Sequence, residues 1–253
     1  MFSAVVLAGG GKQEPLTEQE GVTNKAFINL EGQALLSYTL KALEEASHIS
    51  EIVVVGPSKE LKELQVRGYK FTIAAERESM LDNLASGFEQ VDSDRLCFVA
   101  TGDIPLVNGE IIDSFIDLCS PHDSDFYYPV LNKEDFMLKF PETERTYVRL
   151  KEGFITGGNI ALLNPGWFLN NKKNLELFIS YRKKPLKLMR LMPISFIPKY
   201  LLKTLSIDDL VRHLSALLQL KARAVKFERI EIGIDVDKLS DLSLVRDVFR
   251  KNI

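Results

Sequence analysis

The sequence predicts an α/β molecule of three layers: a Rossmann-like, mostly parallel mixed sheet with helices on both faces and a helical insert late in the chain. Three observations carry this expectation. Short apolar, β-branched runs alternate with segments of helical apolar spacing through the first 120 or so residues, the order that a parallel sheet requires. Gly9, Gly10 and Gly11 follow the first of those runs, where the backbone must turn sharply or come close to a ligand. A largely helical stretch at about 167–226, broken by Pro185, Pro193 and Pro198, then interrupts the pattern before strand-like sequence returns. The 253 residues are read as a single domain with that insert.

In chain order, Val5 and Val6 belong to a buried first strand. Apolar residues recur at helical spacing from Leu35 to Ala46, and Glu51–Gly56 is a strand closed by Gly-Pro. Ser58 opens a short helix to Leu64, Phe71–Ala75 is a strand, and Met80–Val91 is a helix. Leu96–Ala100 is the most apolar strand, followed by a helix from Asn108 to Leu118. Beyond Asp125, Phe126–Leu131 and Arg145–Lys151 read as longer antiparallel strands, and a Gly157-Gly158-Asn159 turn precedes another apolar strand. After the insert, Ala224–Ile230 and Ile232–Val236 are predicted to rejoin the sheet, and Ser240–Phe249 is the closing helix. In such a sheet ligands bind outside the carboxyl ends of the strands, so the loops at Gly9, Glu76 and Asp103 are expected to share one crevice.

Composition narrows the class. A hydrophobic content of 45% suits a folded chain with a sizeable core, and no stretch reaches ~18 apolar residues. With no charged leader in its first residues, the chain is expected to be cytoplasmic. Cys97 and Cys119 are too few for a disulfide framework, and His48, His122 and His213 lack ligand spacing for zinc.

The glycine turn suits a phosphate, because successive backbone N–H groups there form an anion-binding concavity and Lys12 adds a full charge. It is not a Walker A loop: Gly11-Lys12 is followed by Gln13, and the first glycine of that pattern falls on Val6. Nor is it the dinucleotide fingerprint, whose third glycine is replaced by Glu14. What stands is Leu7-Ala8-Gly9-Gly10-Gly11-Lys12, then Asn24-Lys25-Ala26-Phe27, then Leu30-Glu-Gly-Gln-Ala-Leu-Leu36. Further on come Gly102-Asp-Ile-Pro105 and Ile234-Asp-Val-Asp237.

This string resembles the signature of the nucleotidyltransferases that include molybdenum-cofactor guanylyltransferase, the sugar-1-phosphate nucleotidyltransferases and the cytidylyltransferases of isoprenoid and sugar-acid synthesis. Three positions depart from that signature. Lys12 stands where the family has arginine, Asn24 where it has proline, and Gln33-Ala34 where it has Lys-Pro.

The resemblance implies the nucleotide-diphospho-sugar transferase fold and a magnesium-dependent transfer of a nucleoside monophosphate from a nucleoside triphosphate to a phosphorylated or otherwise anionic acceptor, releasing pyrophosphate. It also implies roles. Asp103 and Asp237 would hold Mg2+, and Lys25 would stabilise the transition state. Leu7, Ala8, Gly9, Gly10, Gly11, Lys12, Ser79, Asn83 and Gly102 would bind the nucleotide, and Gly157, Gly158 and Asn159 the acceptor. Tyr147 and Arg149 alternate with Val148 and so share one face of a strand, from which Arg149 would fork onto an acceptor phosphate. Of Asp235 and Asp237, only one is expected to reach the metal. Two other readings of the chain are a nucleotide-sugar-dependent glycosyltransferase and a non-catalytic nucleotide-binding protein.

Charge singles out the insert. Residues 167–226 hold 13 basic and 3 acidic side chains, +10 in a chain of net −3. Within it, Tyr181–Leu202 interleaves cations with leucine, methionine and aromatics, as interfacial helices do. That pattern fits a solvated helical lid, a large anionic acceptor or contact with an anionic membrane; nucleic acid is not expected.

Overall fold

A computed structural model describes residues 1–9, 15–182 and 193–251, without the side chains of 177–182. The element order is β1 Phe2–Leu7, α1 Pro15–Gln19, β2 Asn29–Leu30, β3 Gln33–Ala34, α2 Leu35–Glu45, β4 Ile49–Gly56, α3 Ser58–Val66, β5 Thr72–Ala75, α4 Met80–Phe88, β6 Cys97–Thr101 and α5 Gly109–Leu118. The second half continues β7 Phe126–Asn132, α6 Lys133–Lys139, β8 Val148–Leu150, β9 Gly153–Gly157, β10 Ile160–Leu163, α7 Pro165–Arg182, α8 Phe196–Leu201, α9 Ile207–Leu218, β11 Ala222–Lys226 and α10 Leu239–Lys251.

The main sheet runs β5-β4-β1-β6-β10-β7-β9-β8, with β11 on the other edge of β7. Its first four strands are parallel. The antiparallel strands enter at β10, and β11 pairs parallel to β7. Helices cover both faces, the expected three-layer arrangement.

Alternation along β1 divides the core. Ala4 and Val6 face one cluster, which runs unbroken through Leu36, Phe98, Phe115 and Ile232 to Val245. Val5 faces the other side, where Gly87 lets α4 press close: a Cβ there would lie 2.4 Å from Val5 Cγ1. On this second face the buried residues fall into two clusters. One is under α4 and the start of α7, the other around Val130, Leu150, Ile155 and Ile207.

Three expectations change. The Gly157-Gly158-Asn159 turn is a bulge in one long bent strand: between its pairings with β7, residues 158–161 stand opposite only Tyr128 and Pro129. β9 and β10 therefore sit in line, β9 beside β8 and β10 beside β6. The strand predicted for Arg145–Lys151 is only Val148–Leu150, and Tyr147 lies outside it. The strand predicted for Ile232–Val236 is a 3-10 turn, Ile230–Gly233, followed by irregular chain. Helix α6, for which no expectation was formed, is a polar helix anchored by Phe136, which is fully buried.

Candidate functional site

The chain leaves β1 through Ala8 and Gly9 and leaves β6 through Gly102 and Asp103, side by side. Gly102 N donates to Leu7 O (3.0 Å), and Val236 N donates to Asp103 O (3.0 Å), so the C-terminal segment is stitched to the β6 loop. Asn24, nearly buried, ties the third piece in place. Its Nδ2 donates to Ala8 O (2.7 Å), while its Oδ1 accepts from Ala26 N (2.9 Å) and so caps the 3-10 turn Lys25–Phe27. An asparagine where the resembled family has proline is thus a double anchor for the residue that follows it.

That residue is Lys25. Its Nζ lies 3.1 Å from Asp103 Oδ2 and is hydrogen-bonded to Asp237 Oδ1. Burial pulls the ammonium down, but the charges and hydrogen bonds of Asp103 and Asp237 outweigh it and hold the group well above the ordinary lysine range. Bonded to one nitrogen, the two carboxylate oxygens lie within about two hydrogen-bond lengths of each other, roughly 6 Å.

Asp235 belongs to the same constellation, against expectation. Residues 234–238 form no strand, and Asp235 accepts from Arg145 Nη1 at 3.1 Å. Burial, then the charges of Asp103 and Asp237, push its carboxyl up to about 6, with Arg145 opposing. Arg145 also donates to Gly157 O (3.1 Å), and its guanidinium lies 5.3 Å from the centre of the Phe136 ring. Three carboxylates thus face two cations. Arg145, Asp235, Asp237, Lys238 and Thr156 line a cleft of about 280 Å³.

The donor set fits a divalent cation. Asp103 Oδ1 is buried with no hydrogen-bond partner, an acceptor in want of positive charge. Among the described residues no three His, Cys, Asp or Glu side chains converge as a metal cage. The pair Asp103 and Asp237 is what Mg2+ uses when phosphate oxygens and water complete its shell.

The other predicted residues divide. Gly9 faces Glu76 and Asn83: a Cβ on it would lie 3.0 Å from Glu76 Oε1 and 3.1 Å from Asn83 Nδ2. The Gly9 and Glu76 loops therefore do meet. Asn83 is buried and accepts from Arg77 N (2.6 Å), so it braces the loop. Ser79 is the N-cap of α4, accepting from Asp82 N at 3.0 Å. Gly10, Gly11 and Lys12 lie outside the described residues.

On the acceptor side, Asn159 bonds Ile232 O through both its backbone N (2.9 Å) and its Nδ2 (3.2 Å), which joins the bulge to the 3-10 turn. Tyr128 Oη donates to Gly158 O (3.1 Å). The Tyr147 ring packs on Phe136, the Arg149 guanidinium lies 5.2 Å from the Phe154 ring centre, and Lys133 Nζ lies 5.6 Å from the Tyr147 ring and 5.5 Å from that of Phe154. Arg145 is the arginine at the crevice, and nothing in its spacing marks it.

Residues 4–219 match the model of the MobA-like NTP transferase domain. The 2-C-methyl-D-erythritol 4-phosphate cytidylyltransferase of Lachnospira eligens is 27% identical over 120 residues, 45% of this chain and 51% of that protein. A probable molybdenum cofactor guanylyltransferase of Thermococcus gammatolerans is 28% identical over 116 residues, 46% of this chain and 55% of that protein. The chain spans about half the length of the curated relatives it matches. A solved hypothetical transferase from Thermus thermophilus superposes with a TM-score of 0.83 at 34% identity, covering 95% of this chain and 99% of that one.

Proposed function

Because this chain belongs to the MobA-like NTP transferase family, we propose that it transfers a nucleoside monophosphate from a nucleoside triphosphate to an anionic, phosphorylated acceptor. The observation that carries the reading is Lys25 between Asp103 and Asp237, at the carboxyl ends of β1 and β6, with an unpartnered carboxylate oxygen beside it. In such a transfer an acceptor phosphate oxygen attacks the α-phosphorus, the bond to the bridging oxygen breaks, and pyrophosphate leaves. The acceptor is already ionised, so charge neutralisation matters more than proton transfer.

Asp103 and Asp237 would hold Mg2+, which when bound would neutralise phosphate charge at the reacting centre. Lys25, a fixed cation a few ångströms away, would move its ammonium from the carboxylates to the phosphate. Arg145, locked on Asp235 and the Gly157 carbonyl, holds the acceptor wall of the cleft in place. The glycine turn at 9–11 and Lys12 would take the terminal phosphates.

Release of pyrophosphate on mixing the protein with each of the four triphosphates, Mg2+ and phosphorylated acceptors tests the reading. No release with any pairing would overturn it.

A peripheral contact with anionic membrane is part of the proposal. Of its segment 181–202, side chains are described only from 193 onward. There Ile194 and Leu201–Leu202 are largely exposed, and Ile197 and Tyr200 about half exposed, beside Lys199 and Lys203. Among the described residues no helix is long and apolar enough to cross a membrane.

A further inference from the structure

The divided core of the second face leaves a space. Between its two clusters, apolar side chains line two adjoining hollows of about 400 and 430 Å³, which share Phe126, Tyr128, Leu175, Leu218 and Leu220 as walls. The first hollow begins at Leu7, Thr101, Gly158 and Asn159, the carboxyl ends of β1 and β6 and the acceptor-side bulge. The second continues along the sheet under α9, past Leu210 and Leu214. Together they make one apolar trough that starts at Thr101 and Asn159, beside the β6 loop that carries Asp103, and runs away from it. Polar groups are few in its far half: among the described lining residues they are Thr156, Arg223 and the Tyr128 hydroxyl, which is bonded to Gly158 O. An apolar hollow of this size stays poorly hydrated and favours hydrocarbon.

An apolar trough that begins beside a charged crevice matches one kind of acceptor. Building on the nucleotidyl-transfer reading, we infer that the acceptor is a phosphate monoester of a long hydrocarbon chain, its phosphate at the Lys25–Asp103–Asp237 crevice and its chain along the sheet beneath α7 and α9. The reaction remains balanced: the monoester oxygen displaces pyrophosphate and leaves a nucleoside diphosphate joined to the chain. A small sugar phosphate would fill the cleft beside Arg145 and leave the trough unused. The complementarity is of shape and charge together, since the anionic head meets the crevice of Lys25 while the chain lies among apolar side chains, with Arg223 in the wall of the second hollow.

The chain has one tryptophan, Trp167, and it stands in the wall of the first hollow, so binding can be read without turnover. Trp167 emission is followed on titrating the full chain, below micelle formation, with inorganic phosphate, butyl, octyl and dodecyl phosphate, and with a dodecyl phosphate brominated along its chain. The expected result is no response to inorganic phosphate, affinity rising up to ~4-fold per added methylene (about 0.8 kcal/mol each), and quenching by the brominated chain. Ala161→Phe, which fills the first hollow, should remove the dodecyl phosphate response while thermal stabilisation by nucleoside triphosphate persists. Should that variant not fold, Leu218→Asn, on the half-exposed side of α9, should weaken dodecyl phosphate at least 10-fold.

Equal affinity for butyl and dodecyl phosphate, or no change in either variant, would overturn the inference. If dodecyl phosphate binds as described but no triphosphate yields pyrophosphate, the transfer reading fails and the trough stands. If short polar phosphates support pyrophosphate release while dodecyl phosphate neither binds nor reacts, the transfer reading stands and the trough falls.

Discussion

At the scale of single residues the crevice is a charge balance, and it predicts how substitutions behave. Asp103→Ala and Asp237→Ala should each lower Mg2+-dependent turnover on the order of 10³-fold with little change in melting temperature. The double variant should be scarcely slower, because the two carboxylates act as a unit; rates that multiply would show that they serve separate steps. Lys25→Ala should reduce kcat far more than it raises the KM for triphosphate, since its charge is needed where charge develops. A pure KM effect in steady-state kinetics would assign Lys25 to ground-state binding. Asp103, Asp237 and Lys25 were legible as neighbours because each lies in a short string that resembles the family signature. Arg145 and Asp235 were not. Arg145 sits in irregular chain with no periodic signal, and Asp235 lies in a segment expected as a strand that forms a 3-10 turn and coil instead.

Elements hold these residues in register, and two joints can be tested. Asn24→Ala removes both the Ala8 anchor and the cap of the turn carrying Lys25. It should cost about 1–3 kcal/mol in urea unfolding and lower kcat, while Asn24→Ser should restore part of the cap. The second joint ties α4 to α7 through Lys172 and Asp82. The hydrogen bonds from Lys172 and then Ser79 hold the Asp82 carboxyl below its usual range. A depressed folded pKa stabilises above the unfolded value of about 3.9 and ceases to do so as pH falls through the folded one. Trp167 on α7 should therefore report a loosening only in acid, below about pH 4, and Asp82→Asn should abolish that step. An unchanged acid transition in the variant would place it elsewhere. The alternating strands and helices of the first half were legible because their period changes between about 2 and 3.6. The bent β9–β10 strand was not, because a glycine pair reads alike as a turn or as a bulge until its partners are known. At Gly157 a Cβ would lie 2.1 Å from Tyr128 Oη, so the pair marks close approach to a ring rather than a reversal of the chain.

Taken whole, the molecule has a net positive charge on one segment while the remainder is net acidic, an asymmetry visible in the sequence. If that segment meets anionic membrane, the protein should cosediment with anionic vesicles at low salt and be released at high salt, while neutral vesicles leave it in solution. Recovery in the supernatant with both vesicle types would make the segment a solvated surface. What composition could not show is the trough, since the same leucines would read identically in a filled core. The order in which the crevice is assembled has a further consequence. Asp103 and Asp237 stand 134 positions apart (237 − 103), and Val236 N closes on Asp103 O. At the ~5–20 residues per second of synthesis, the ribosome has extended the β1–β6 half by many seconds before residues 235–241 clear the exit tunnel. A nascent chain stalled before that point would lack both Asp237 and the part of the core that Ile234, Val236, Leu242 and Val245 supply, so core and crevice are completed in a single late event, as the tail docks.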